Sequence, residues 1–158
     1  MNDLALKRLT AVGWTLDRKE DCSEIKCLYR EQNLILPDLL RVFFESFAYL
    51  DTREITNDRN RWYYIGPEAV FSKYEGWRNG FDGYKKRELQ PFFEKNGIIG
   101  ELYPVGDAYD GYMDIYYHEN GKFYMCGGSS TFEIGSNVDE MLNYLFGDDG
   151  STVTKLLG

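Results

Sequence analysis

The dipeptide Asn120-Gly121 constrains this chain more than any other feature. Asn-Gly is the preferred centre of a type I′ hairpin turn, and the residues on both sides of it alternate as strands do. This predicts a strand over 112–117, a turn at Asn120-Gly121 and a return strand over 122–126. In that register Glu119 faces Lys122 and Tyr117 faces Tyr124, both favourable cross-strand pairs. A period of two begins at Ile99, and 131–135 reads as a further strand.

The N-terminal half is mainly helical in its spacing. Residues 3–12 form a short amphipathic helix with Leu4, Leu6 and Leu9 apolar, stopped by Gly13. In 19–35, Ile25, Cys27 and Tyr29 alternate with polar neighbours as in a strand. Pro37 suits a first helical turn and Asp38 complements the helix dipole there. Leu39, Leu40, Phe43, Phe44, Phe47 and Leu50 then recur at helical spacing, which predicts a deeply buried helix over 37–50. Residues 53–65 read as a hairpin turning at Asn57-Asp58, with Trp62 and Tyr64 on one face. Pro67 opens a helix carrying Ala69, Val70, Phe71 and Tyr74, and Gly76 and Gly80 break up the stretch after it. Residues 84–95 continue as a helix that Pro91 kinks or restarts. Near the end, Asn137 caps a helix with Glu140 three residues on, Val138, Met141, Leu142 and Leu145 as its stripe, and Gly147 as its stop. The fold class is α+β: one domain over 1–147 with a mostly antiparallel sheet flanked by helices, followed by a loose tail over 148–158. At 158 residues the chain is long enough to bury a real core.

Charge is distributed unevenly. Residues 1–96 balance, whereas 97–158 hold ten acids against Lys122 and Lys155, which accounts for the whole net charge of −8. From 98 to 121, Glu101, Asp107, Asp110, Asp114 and Glu119 are interleaved with Tyr103, Tyr109, Tyr112, Tyr116 and Tyr117. Such a surface repels nucleic acid and anionic membrane and attracts a basic protein. No stretch has the run of about 18 apolar residues that a membrane span needs. The N-terminus lacks the apolar run of a secretory signal, and three cysteines (Cys22, Cys27, Cys126) cannot all pair. A cytoplasmic address is expected.

Catalytic constellations are weak. His118 is the single histidine, at a strand end beside a turn. Structural zinc would need His118 and all three cysteines, and Cys22-x4-Cys27 fits no finger spacing. Asp107, Asp110 and Asp114 lack the alternating ligands of a calcium loop. Gly127-Gly128-Ser129-Ser130 is too short for a phosphate loop and reads as a turn. We therefore expect no enzyme, no cofactor and no metal.

Binding is better supported. In the 112–117 strand, Met113, Ile115 and Tyr117 point one way and Tyr112, Asp114 and Tyr116 the other. The first set is the natural core face. The second exposes two tyrosines around a carboxylate, the composition of an interface, unless helices cover that face as well. The loop Asp107-Ala108-Tyr109-Asp110-Gly111 should project between strands. The candidate partner-binding residues are Glu101, Asp107, Tyr109, Asp110, Tyr112, Asp114 and Tyr116.

The order of motifs resembles the SUKH superfamily of immunity proteins, especially its third subfamily. The resemblance runs through Gly13-Trp14 and Arg18, Leu36-Pro37 before the Phe-rich helix, and Gly66-Pro67-Glu68-Ala69. It continues through Ile99-Gly100-Glu101-Leu102-Tyr103-Pro104-Val105-Gly106, Asp114-Ile115, Asn120-Gly121-Lys122-Phe123-Tyr124, Gly135, the 138–146 helix and Gly147. One departure is Ala48-Tyr49-Leu50, where the family often has Gly-Gly-Leu. The resemblance implies an α+β immunity domain, encoded in bacteria beside a polymorphic toxin and neutralising it by direct binding; many such toxins are nucleases. Trp14, Pro104 and Gly106 read as structural. A basic, nucleic-acid-gripping cleft on the toxin would suit an acidic, tyrosine-bearing competitor. The other reading is a regulatory or scaffolding module of the same fold with no toxin partner. Oligomeric state is not legible.

Overall fold

The computed structural model describes residues 1–55, 61–109 and 111–158. Its centre is a six-stranded meander in which every neighbouring pair is antiparallel: β1 (Tyr63–Ile65), β2 (Leu102–Ala108), β3 (Met113–His118), β4 (Phe123–Gly127), β5 (Ser130–Gly135) and β6 (Thr154–Lys155). The α+β expectation holds. Helices α1 (Asp3–Ala11), α2 (Ser23–Glu31) and α3 (Asp38–Phe47) precede the sheet, while α4 (Glu68–Lys73), α5 (Gly80–Tyr84) and α6 (Gln90–Lys95) lie between β1 and β2. Helix α7 (Val138–Phe146) follows β5.

Both faces of the sheet are covered. On one, Phe123 meets Phe43 of α3 with ring centroids 6.3 Å apart, and Tyr63 packs on Tyr144 and Phe146 of α7. On the other, Tyr116 stacks on Phe81 of α5 at 6.0 Å, and Tyr124 meets Phe93 of α6 edge-on at 4.9 Å. Every residue of β3 is consequently buried, whichever way it points.

Helix α3 forms as its spacing predicts, with Leu40, Phe43, Phe44 and Phe47 buried. It ends at Phe47, three residues short of the expected limit, because the Arg18 guanidinium donates to the carbonyls of Ser46 and Ala48, both at 2.8 Å. The chain leaves at Tyr49 with φ +63°, a left-handed conformation that explains the glycine of the Gly-Gly-Leu pattern at this position. Trp14 stacks on Phe47 at 5.5 Å and donates its indole N–H to Ser46 Oγ at 3.1 Å. The Gly13-Trp14…Arg18 motif is thus a clamp on the end of α3.

Several expectations are corrected. Residues 23–31 are a helix, not a strand: Cys22, Ile25 and Tyr29 are buried at i, i+3 and i+7, a stripe that alternation at 25, 27 and 29 imitates. In α1 the buried pair is Ala5 and Leu9, and Leu4 and Leu6 are exposed. The 53–65 hairpin is replaced by a 3-10 turn at Thr52–Glu54 and the short β1, which pairs with β2; its expected turn at Asn57-Asp58 lies outside the described residues. Residues 85–89 form a π turn ahead of Pro91, which then starts α6; the wider turn spares proline the helical bond it cannot donate.

The central hairpin exists with a register one residue tighter than expected. Tyr117 pairs with Phe123 and Tyr116 with Tyr124, and His118 N donates to Lys122 O at 2.9 Å. Gly121 N closes a turn on His118 O, also at 2.9 Å, and only Gly121 of the loop has positive φ (+91°). This is a three-residue loop, in which one left-handed residue follows an ordinary turn, rather than a two-residue type I′ turn. Lys122 accordingly pairs with Glu133 at 2.9 Å and not with Glu119. The stretch expected to be a loose tail is docked: β6 extends the sheet, and Asn96 holds Leu157 through both its amide atoms, at 2.9 and 3.1 Å.

Candidate functional site

Three clefts open at one end of the sheet, where the β2–β3 and β4–β5 connections lie. The largest, about 650 Å³, is lined by Arg53, Trp62, Tyr64, Glu68, Lys73 and Asp107. A second, about 490 Å³, lies between Trp77 and Tyr84 on the helical side and Cys126–Thr131 of the sheet. A third, about 420 Å³, is lined by Arg61, Tyr109, Tyr112, Met125, Phe132 and Tyr144. The β2–β3 connection is the ridge between the first and the third: Asp107 and Gly111 line one side, Tyr109 and Tyr112 the other. Tyr109 (φ +55°) and Gly111 (φ +78°) bend it tightly.

This end gathers part of the expected binding set. Asp107, Tyr109 and Tyr112 are there, and Tyr112 is 71% exposed. Asp110 lies outside the described residues. Glu101 is at the opposite end, where it pairs with Lys85, which also reaches Asp82 at 3.3 Å. Asp114 and Tyr116 do not form an exposed face, because α4 and α5 lie over it; they are 2% and 0% exposed. Asp114 instead accepts from Lys73 Nζ at 2.6 Å, Tyr74 Oη at 2.8 Å and Tyr116 Oη at 3.0 Å. It is a satisfied interior carboxylate that ties α4 to the sheet, and burial removes it and Tyr116 from direct contact with a partner.

Electrostatics single out the largest cleft. Asp107 and Asp114 are directly opposite across the β2–β3 ladder. Burial, and next the charge of Asp114, raise the Asp107 carboxyl above the ordinary carboxylate range. Burial raises Glu68 too, with Asp107 adding to it, and Glu68 Oε2 is shut off from solvent with no donor. That carboxylate is folded back over Gly66, where a Cβ would collide with it. Lys73 is committed to Asp114 and Arg53 to Asp51, at 2.6 and 3.6 Å. Neither Glu68 nor Asp107 has an ion-pair partner among the described residues.

Of the side chains weighed as catalytic or metal-ligating candidates, His118 and Cys126 are both buried. The Cys126 thiol is pushed up to about 12 by burial, so it stays protonated at neutral pH. His118 is buried between Phe93 and Tyr124, and its Nδ1 accepts from Asn120 N at 3.0 Å. Among the described residues no group of His, Cys, Asp and Glu is placed to hold a metal ion, and no helix is long and apolar enough to cross a membrane. Glu68, Trp62 and Tyr64 line the largest cleft without being among the candidate residues expected from the sequence. Gly66-Pro67-Glu68-Ala69 was a visible signal, but it marked a helix start and said nothing of a side chain folding back across Gly66.

Fold and site together define a single-domain α+β protein in which three clefts, the largest among them, open at one end of a sheet covered on both faces. The family model described as SUKH-3 immunity protein matches residues 1–148. The chain belongs to the SUKH-3 immunity protein family, whose members are generally non-enzymatic. No curated protein and no solved structure matches it.

Proposed function

We propose that this protein is the antitoxin of a cognate toxin and neutralises it by stoichiometric binding, with the cleft-bearing end of the sheet as the docking surface. Membership of the immunity family over nearly the whole chain carries this reading. The exposed Tyr112 and the clefts beside Tyr109 and Asp107 support the location, since tyrosines that become desolvated in pockets on binding are frequent interface anchors. The net charge of −8 suits a basic partner such as a nuclease, whose own ligand is a polyanion. The partner is expected in the open reading frame adjacent to this one.

The test is a titration of that toxin's activity against added protein, read as nuclease activity or growth arrest. Silencing should be complete at about one protein per toxin molecule. Tyr112→Ala should weaken binding by about 2 kcal/mol, roughly thirtyfold, with unchanged folding. Protection at far below equimolar protein would mean turnover and overturn the binding reading. A stable complex with a housekeeping protein and no toxic neighbour would favour a regulatory module instead.

A further inference from the structure

The largest cleft has the makeup of a cation-binding site. Its walls are the half-buried rings of Trp62 and Tyr64, and its depth is set by Asp107 and by Glu68 at the first turn of α4. Two cations border it, and both are already engaged with Asp51 and Asp114. Among the described residues neither carboxylate has an ion-pair partner; Asp107 accepts from the Gly111 backbone, whereas Glu68 keeps an oxygen with no donor. Natural chains rarely retain an unpaired, partly buried carboxylate unless a ligand completes it, because the desolvated charge destabilises the fold. Here two such groups face one cleft of about 650 Å³, room for one long side chain but not for a helix.

We propose that this cleft receives a single arginine side chain from the toxin. The proposal rests on the immunity reading for the source of the arginine, not for the existence of the site. A guanidinium presents a planar fork of N–H donors that can serve the Glu68 carboxylate in bidentate fashion, and it stacks on aromatic walls. Binding would draw the Glu68 carboxylate off Gly66 and give its stranded Oε2 a partner. The Tyr64 ring already shows that it accepts this geometry: the Arg53 guanidinium lies over it, 5.1 Å from its centroid. Lysine would supply charge but neither the fork nor the stacking, so arginine is the better occupant.

Two measurements judge the proposal separately from the immunity reading. In the first, N-acetylarginine amide is titrated into the 15N-labelled protein. Saturable shifts at the amides of Gly66, Glu68 and Gly111 are expected at millimolar concentration, none with the isosteric N-acetylcitrulline amide, and none in Glu68→Gln. Absence of localised shifts, equal shifts with citrulline, or insensitivity to Glu68→Gln would overturn the site. In the second, Glu68→Gln/Asp107→Asn, shown to be folded by its melting temperature, is compared with the parent in binding the toxin. At least a tenfold loss of affinity is expected. Equal binding of both would sink the arginine site and leave the immunity reading intact. Toxin binding by neither would sink the immunity reading, while the arginine titration still decides the cleft.

Discussion

Asp114 shows how one residue changes meaning with its surroundings. A carboxylate this deeply buried is tolerable because Lys73, Tyr74 and Tyr116 converge on it. Removing one partner of a buried charge network leaves the others uncompensated, which costs about 3–5 kcal/mol. Asp114→Ala should therefore lose stability on that scale in chemical denaturation, and a loss under 1 kcal/mol would mean the network is not formed. Asp107 and Glu68 act in the opposite sense. Their folded-state carboxyls lie above their ordinary values of 3.8 and 4.5, so the folded protein binds these protons more tightly than the unfolded chain. The resulting stabilisation is complete below the ordinary values and is lost as pH rises through the folded ones. Asp107→Asn and Glu68→Gln should each melt higher than the parent at pH 7, at ~2–4 °C for each kcal/mol gained, with the gain gone once the pH is well below the ordinary values. A variant that melts lower at pH 7 would show that its carboxylate is paired after all. None of this was legible from alternation, which assigns residues to two faces but does not say which face is covered. With helices on both sides, Asp114 and Tyr116 became interior.

At the scale of elements, legibility followed the strength of local signals. The bounds of helix α7 were readable because its start is chemical: Asn137 Oδ1 accepts from Glu140 N at 2.9 Å, and Glu140 Oε2 accepts from Ser136 N at 2.8 Å. Its buried face is wider than the expected stripe, taking in Tyr144 and Phe146, with Val138 only partly buried. Helix α2 was misread since it lacks a side-chain cap, and Ile25 and Tyr29 satisfy both periods. The hairpin was located correctly by Asn120-Gly121, yet its register depended on tertiary choices: Asn120 accepts from Lys122 N at 3.0 Å and donates to Tyr124 Oη at 3.1 Å. Gly121→Ala should cost roughly 1 kcal/mol, because an L side chain resists φ +91°. Helix α3 carries far more. Phe47 lies against Trp14 and, at 5.3 Å, Phe43, so Phe47→Ala should lose ~3–5 kcal/mol and fail to protect for want of folded protein. Parent-like melting of Phe47→Ala would mean this aromatic packing contributes little.

At the scale of the whole molecule, the charge asymmetry along the chain is partly undone by folding. Lys73 reaches Asp114, Lys85 reaches Glu101, Arg8 reaches Asp148 at 2.9 Å, and the N-terminal ammonium reaches Asp139 at 3.2 Å. Cations from the balanced N-terminal part thus lie on acids from the C-terminal part. What survives is the overall charge of −8, which acts at long range and on encounter rather than at one contact. Such steering is screened when the Debye length falls, from ~14 Å at 50 mM salt to ~6 Å at 300 mM. Association with a basic toxin should accordingly slow by about two- to tenfold across that range in stopped-flow measurements, while the dissociation rate changes less than twofold. Association that ignores salt would show that the net charge serves solubility alone. A salt effect carried by dissociation would instead place the charges inside the contact, where the Glu68 and Asp107 cleft is the first location to examine.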